Sequence, residues 1–500
     1  MTTGFAPPAA MYLGIDLGTS EVKVLLLQDD HRIVATAGAR LTVSRPHPGW
    51  SEQDPADWWA ATETAVAALR AEAPAEFARV RGIGLSGQMH GATLLDADDT
   101  VLRPAILWND VRSAAECLEL QRRLPALPEI AGNLAMPGFT SPKLLWVQRH
   151  EPKLFERTRC VLLPKDWLRL QLTGEKVSEM SDAAGTLWLD VAQRRWSREL
   201  LAVSNLSEQR MPRLVEGSAV SAQLRDTLAD AWGLPRGIPV AGGGGDNAAS
   251  AVGIGAVRPG EGFISLGTSG VLFVVTDRFR ANPASAVHAF CHAVPGRWHQ
   301  MSVMLSAASC LSWVTRLVGA AGEGALLNDV GALDAAGQAA APLFLPYLGG
   351  ERTPHNDAKA RGVFFGLSHD TTAAHLGWSV LEGVAFGMLD GLHALQAAGT
   401  TVGPLTIVGG GSRSPLWAQL FATLYGVPVR TVHGGEAGGA LGAARLAWLA
   451  TGGSEAEVCL APALNTEYLP EPAARRDALL ARHDRFKTLY PTLRAAFAAA

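Results

Sequence analysis

The tetrapeptide Leu-Gly-Thr-Ser occurs twice in this chain, at Leu17–Ser20 and again at Leu266–Ser269. The copies stand 249 positions apart (266 less 17), half of the 500 residues. Each has the same setting, LGIDLGTSEVKVLLL over 13–27 and FISLGTSGVLFVV over 263–275. Both read as an apolar strand, a tight Gly-Thr-Ser turn and the second strand of a hairpin. Matching turns inside matching strands, half a chain apart, predict a duplicated domain with its break near Val257-Arg258-Pro259-Gly260.

The remaining sequence fits that plan. Strand-like and helix-like segments alternate, which makes the fold α/β. Hydrophobic residues are 48% and charged residues 18% of the chain, so large cores can be buried and disorder is excluded. Lys plus Arg (43) against Asp plus Glu (47) leaves a net charge of −4, unlike a nucleic-acid binder. No run approaches the ~18 apolar residues of a membrane span. The first basic residue is Lys23, so no secretory signal is expected, and residues 1–10 read as a short disordered lead. Five scattered cysteines argue against a disulfide framework and for a reducing cytoplasm. His288, Cys291, His292 and His299 lie close in sequence, but ordinary burial of a cysteine is favoured over a zinc site there.

The 53 glycines fall in short clusters beside apolar runs. Glycine hairpins offer N–H groups to phosphate oxygens, so two of them facing across a cleft would grip a polyphosphate from both sides. The first copy carries Asp16 where the second has Ser265, and a single carboxylate beside phosphates suits Mg²⁺. Gly242–Gly245 precede Asp246 and Asn247 at a helix start. Asp246 is placed as N-cap, or, with four glycines leaving room for a ligand, as acceptor of a substrate hydroxyl's proton. A third cluster, Gly409–Gly411, leads through Ser414 as N-cap and Pro415 to a helix stopped by Gly426. Strand, glycine and helix in that order suit a nucleotide's base and ribose. The stretch from Gly434 through Glu436 to Gly439 either lines the same pocket or is a tight helix–strand junction. Gly82, Gly84 and Gly87 satisfy the spacing of a dinucleotide fingerprint, but strands follow rather than a helix. The chain contains no Gly-Lys dipeptide, which excludes a P-loop.

Together these segments resemble the FGGY carbohydrate kinases. The first family signature appears from Gly138 through Lys143 and Trp146 to His150, the second from Gly362 through Gly366 to Glu382. GQMHG, ILWND, LLPKDWLRL, SDAAGT and GERTPHN extend the likeness over nearly the whole chain. The resemblance implies two duplicated actin-like, ribonuclease-H-like domains, at 11–257 and 258–490, with a catalytic cleft between them. It is strongest to members that transfer phosphate from ATP, with Mg²⁺, to the 5-hydroxyl of D-xylulose. It places Asp246 as catalytic base and Gln88, Met89, His90, Trp108, Asn109, Asp110 and Asn247 at the sugar. Thr19, Gly267, Thr268, Gly410, Gly411 and Ser414 are assigned to ATP, and Asp16 to the metal. Trp50 is a further candidate to cover the sugar. A homodimer is implied by related kinases, with no interface legible in these residues. Glu21, Glu436 and Gly439 depart from the family pattern near the phosphates. The competing readings are a kinase of another ketose, a polyol or gluconate, an actin-like ATPase, and a dinucleotide oxidoreductase.

Overall fold

A computed structural model describes residues 9–434 and 438–499. Glu436 lies outside the described residues, as do the first eight positions of the expected lead. The lead's end is held in place: the Ala10 N–H donates to Asp29 Oδ2 at 2.9 Å, and Ala10 is buried.

The strands of the first half are β1 (Met11–Leu17), β2 (Glu21–Gln28), β3 (Ile33–Arg40), β4 (Val80–Gly87), β5 (Val220–Gln223), β6 (Pro239–Ala241) and β7 (Gly244–Gly245). They form one sheet in the order β5-β6-β4-β1-β2-β3, with β7 pairing β4. In the second half come β8 (Gly262–Leu266), β9 (Gly270–Thr276), β10 (His288–Cys291), β11 (Trp298–Met304), β12 (Leu405–Val408), β13 (Val429–Val432) and β14 (Leu464–Tyr468). Their order is β10-β11-β9-β8-β12-β13-β14.

The duplication is visible in the pairing. In each half the hairpin strands are antiparallel, and the first of them also pairs in parallel with a later strand, β1 with β4 and β8 with β12. Asp16 lies opposite Lys23 and Ser265 opposite Val271, each one residue before the last strand position of its hairpin's first arm. Every residue of β1 except Asp16 is buried, as a central strand covered on both faces requires.

Seven helices matter for the site: α1 (Pro55–Glu72), α2 (Thr140–His150), α3 (Asp246–Gly253), α4 (Ala373–Ala397), α5 (Pro415–Tyr425), α6 (Gly438–Ala450) and α7 (Ala473–Ala499). α5 starts and stops where its sequence signals stand: Ser414 Oγ accepts from the Trp417 N–H, Pro415 is the first helical residue, and Gly426 ends it at φ 69°. α3 begins one residue earlier than expected, with Gly245 as N-cap and Asp246 as its first helical residue.

α6 belongs to the second half of the sequence yet packs on β1, β4 and α3 of the first. Glycine makes this possible. A Cβ on Gly84 would stand 1.8 Å from the Ala443 carbonyl oxygen, and one on Gly442 would stand 1.7 Å from that of Ala249. Gly84 of the apparent dinucleotide fingerprint is therefore a place where backbone meets backbone. We expect Gly442→Ala to force α6 off α3 and cost about 3 kcal/mol, the upper end of overpacking penalties, read as a lowered thermal midpoint.

Candidate functional site

Two cavities meet at the N-terminus of α3. The larger, about 470 Å³, is lined by Met89, His90, Trp108, Asn109, Asp246 and Asn247 from the first half, and by Ser265, His288 and Arg352 from the second. Asp110 also borders it. The smaller, about 340 Å³, is lined by Asn247, Ser250, Ser265, Gly409, Gly410, Gly438 and Gly439. Asn247 and Ser265 border both. The fourth glycine cluster thus does line the pocket of the third, through Gly438 and Gly439.

Asp246 stands at that junction. One of its oxygens, Oδ1, accepts from the Asn247 backbone N–H at 2.7 Å and from the Asn247 side-chain amide at 2.9 Å. That grip orients the carboxyl group. Burial, and next the charge of Asp16, push its pKa up to about 6. Asp16 is itself raised by burial, and its Oδ1 is buried without a hydrogen-bond partner. Two neighbouring acidic groups, both held above the ordinary carboxylate range and one with an orphaned oxygen, fit a divalent cation well. A Cβ on Gly439 would come within 2.5 Å of Asp16 Oδ2, so glycine is what lets α6 approach this carboxylate.

The wall of the larger cavity at His90 and His288 presents hydrogen-bonding groups. His90 has φ 70°, an uncommon conformation for a residue with a side chain. Its Nδ1 lies 2.7 Å from the Gly185 carbonyl, which can only accept, so Nδ1 carries the proton and Nε2 is left as an acceptor. His288 is fixed the same way. The Asn133 amide donates to two backbone carbonyls, leaving its Oδ1 to accept from His288 Nδ1 at 2.8 Å. Burial pushes the His90 pKa down to about 3 and that of His288 well below its usual value, so both rings are neutral. Asn109 Oδ1 is buried without a partner, and no carboxylate among the described residues pairs with the half-buried Arg352. Acceptors and one cationic donor therefore face a common space.

Lys143 of α2 supports this wall. It is fully buried and donates to the backbone carbonyls of His90 at 2.8 Å and Gly138 at 2.7 Å. Thr140 Oγ1 adds a third bond, to the His90 carbonyl, at 3.1 Å. Beneath Gly245, whose N–H donates to Ser181 Oγ, Lys165 is enclosed by Asp166, Glu179 and Asp182 at 2.7, 3.3 and 3.2 Å, all without exposure.

Of the other expected residues, Asp110 borders the larger cavity and the rest line neither, and all of them serve these walls. Gln88 accepts from the Thr19 hydroxyl and donates to the Gly18 carbonyl and to Gln53, locking the first hairpin turn. The Thr19 hydroxyl in turn accepts from Trp108 Nε1 at 3.0 Å. Gly267 and Thr268 give their carbonyls to the N–H groups of Ala308 and Ala307. Gly411 packs on Leu266, and the Ser414 hydroxyl is taken by the helix cap. The Asp110 carboxylate is bound in two-pronged fashion by Arg112 and accepts from the Ser51 N–H. Trp50 lines neither cavity: it lies under the Arg112 guanidinium at 3.5 Å and against Trp146. Glu21 pairs with Lys23 at 2.9 Å near the surface, so its charge is answered there.

Comparison with known proteins agrees with this architecture. Residues 11–253 match the N-terminal domain of the FGGY family of carbohydrate kinases, and residues 262–451 match its C-terminal domain. The chain belongs to that family. As an FGGY kinase it is a phosphotransferase, and its two matched regions each hold one copy of the repeated hairpin. It is 52% identical over 97% of its length to a xylulose kinase of Escherichia coli, covering 99% of that protein. Against a xylulose kinase of Klebsiella pneumoniae it is 54% identical, covering 94% of this chain and 96% of the relative. The crystal structure of a xyloylose kinase from Brucella ovis superposes with a TM-score of 0.94 at 55% identity, over 97% of this FGGY kinase and all of that chain. No helix among its described residues is long and apolar enough to cross a membrane.

Proposed function

We propose that this kinase transfers the γ-phosphoryl group of ATP to the 5-hydroxyl of D-xylulose, with Asp246 as general base. The observation that carries the reading is the position of Asp246, a half-buried carboxyl raised to about 6 where a hydroxyl-binding cavity meets a glycine-lined one. Identity above one half to two xylulose kinases supports the choice of sugar. The 5-hydroxyl gives its proton to Asp246, its oxygen bonds to the γ-phosphorus, and the bond to the ADP oxygen breaks. Such transfers have loose transition states, so alignment and charge supply most of the acceleration.

His90, His288 and Asn109 accept from sugar hydroxyls, Arg352 donates, and Met89 and the half-exposed Trp108 cover apolar faces. Gly409, Gly410, Gly438 and Gly439 take the nucleotide, and Ser265 of the second hairpin, which borders both cavities, faces its phosphates. Asp16 would hold Mg²⁺, which when bound neutralises phosphate charge. The division at 258 assigns the sugar mainly to residues 11–257 and the nucleotide to 258–490. Five free, buried cysteines support a reducing compartment such as the cytoplasm.

An ADP-release assay across ketoses, polyols and gluconate tests the assignment. D-xylulose is expected to give the highest kcat/KM, and a higher value for any other acceptor would overturn it. Lys143 is a positioning residue in this scheme. Lys143→Met should raise KM for the sugar about tenfold, the worth of about one hydrogen bond, with kcat changed much less. A fall in kcat with KM unmoved would contradict that role.

A further inference from the structure

A second cluster of ligating groups, none of which lines either cleft cavity, lies where α4 crosses α7. Asp390 and His393 are three apart on α4 and so share one face of that helix. His483 of α7 reaches Asp390 Oδ1 through Nε2 at 2.8 Å. One ligand atom from each of the three residues lies within 4.8 Å of the others. An ion about 2.0–2.2 Å from each nitrogen and oxygen fits such a triangle after small side-chain rotations.

We propose that Asp390, His393 and His483 form a binding site for a borderline divalent transition ion of the Zn²⁺ class, fastening α4 to α7. Two imidazoles and one carboxylate suit Zn²⁺ and not Mg²⁺, which prefers oxygen ligands in octahedral array. The site is thus chemically distinct from one that serves a nucleotide. His483 is buried between Phe386 and Phe486, which holds its ring in place. His393 is exposed and makes no hydrogen bond among the described residues, which leaves a route of entry. Beside Asp390 opens a cavity of about 180 Å³, lined also by Tyr347, His355 and Lys487, with room for water as a fourth ligand. The nearby Lys487 charge is answered by Asp484 at 2.8 Å.

The test uses the full chain, stripped of metal by a chelator and titrated with Zn²⁺ against a colorimetric competitor. Wild type is expected to bind one ion, with a raised thermal midpoint and, when Co²⁺ is used instead, the visible absorption of a tetrahedral site. His393→Ala removes an exposed side chain and should weaken Zn²⁺ binding at least tenfold, while His369→Ala at another exposed histidine should not. Millimolar Mg²⁺ should leave the binding unchanged. Equal Zn²⁺ affinity in wild type and His393→Ala, or none in wild type, would show that Asp390 and His483 only pair with each other and would overturn the proposal.

Discussion

Asp246→Asn is expected to lower kcat on D-xylulose by about 10³–10⁴-fold while leaving the protein folded. Asparagine matches the carboxyl in shape and keeps an oxygen for the two Asn247 donors, but it cannot take a proton. KM for the sugar should therefore change little. Stability should hold or rise, because the substitution removes an acidic group whose pKa is raised by burial and by the neighbouring Asp16 charge. The pH profile supplies a separate readout. With its carboxyl pushed up to about 6, wild type carries the base ionised above that pH and protonated below it. Wild-type kcat/KM should then fall about tenfold per pH unit below 6. The residual activity of Asp246→Asn should lack that limb. An acid limb at the same place in both proteins would assign the titration to another group.

The features legible in the sequence were the local ones. Each hairpin announces itself because strand runs and a Gly-Thr-Ser turn lie within fifteen residues, and both fold as expected. The same holds for Ser414, Pro415 and Gly426, whose cap, start and stop are short-range backbone chemistry. What the spacing alone could not show was which face a side chain takes. Gln88 and Met89 are neighbours in GQMHG, yet Met89 lines the cavity while Gln88 ties down the hairpin turn. Strand geometry also explains the histidines near Cys291. Along β10, His288 and Cys291 are three apart and so point to opposite faces, and spacing that suggests a metal site in a loop carries no such meaning here. His288 instead faces the cavity.

Arg352 illustrates a different limit. It reaches a cavity whose other wall is over two hundred residues away in the chain, at Met89, His90 and Trp108. Only the motif GERTPHN marked its neighbourhood, and the signal that would single it out is an arginine without a carboxylate partner, which exists only after folding. The glycines of β1, β4 and α6 are similar. As composition they read as turns or ligand loops, while Gly14 and Gly84 are where sheet and helix backbones touch and Gly442 is where α6 touches α3. That contact carries Gly439 to Asp16 and so joins a helix of the second half to the acidic group of the first.

Asp16→Asn should produce the second large loss, about 10²–10³-fold in kcat, from removing charge that opposes the phosphates' cation. Asparagine fits beside Gly439 as aspartate does, so packing is preserved. The Mg²⁺ concentration for half-maximal rate should rise about tenfold or more, since a ligand that is anionic becomes neutral. A coupled effect follows from Asp246. Because the Asp16 charge helps to raise the Asp246 pKa, removing it should move the acid limb of kcat/KM to lower pH. These two effects separate cleanly at pH 8. There Asp246 is ionised in both proteins, so any loss of rate reflects the missing carboxylate at position 16 and not the state of the base. An Asp16→Asn variant with wild-type Mg²⁺ dependence and an unmoved acid limb would remove Asp16 from both roles, leaving its buried, unpartnered oxygen to be explained by packing alone.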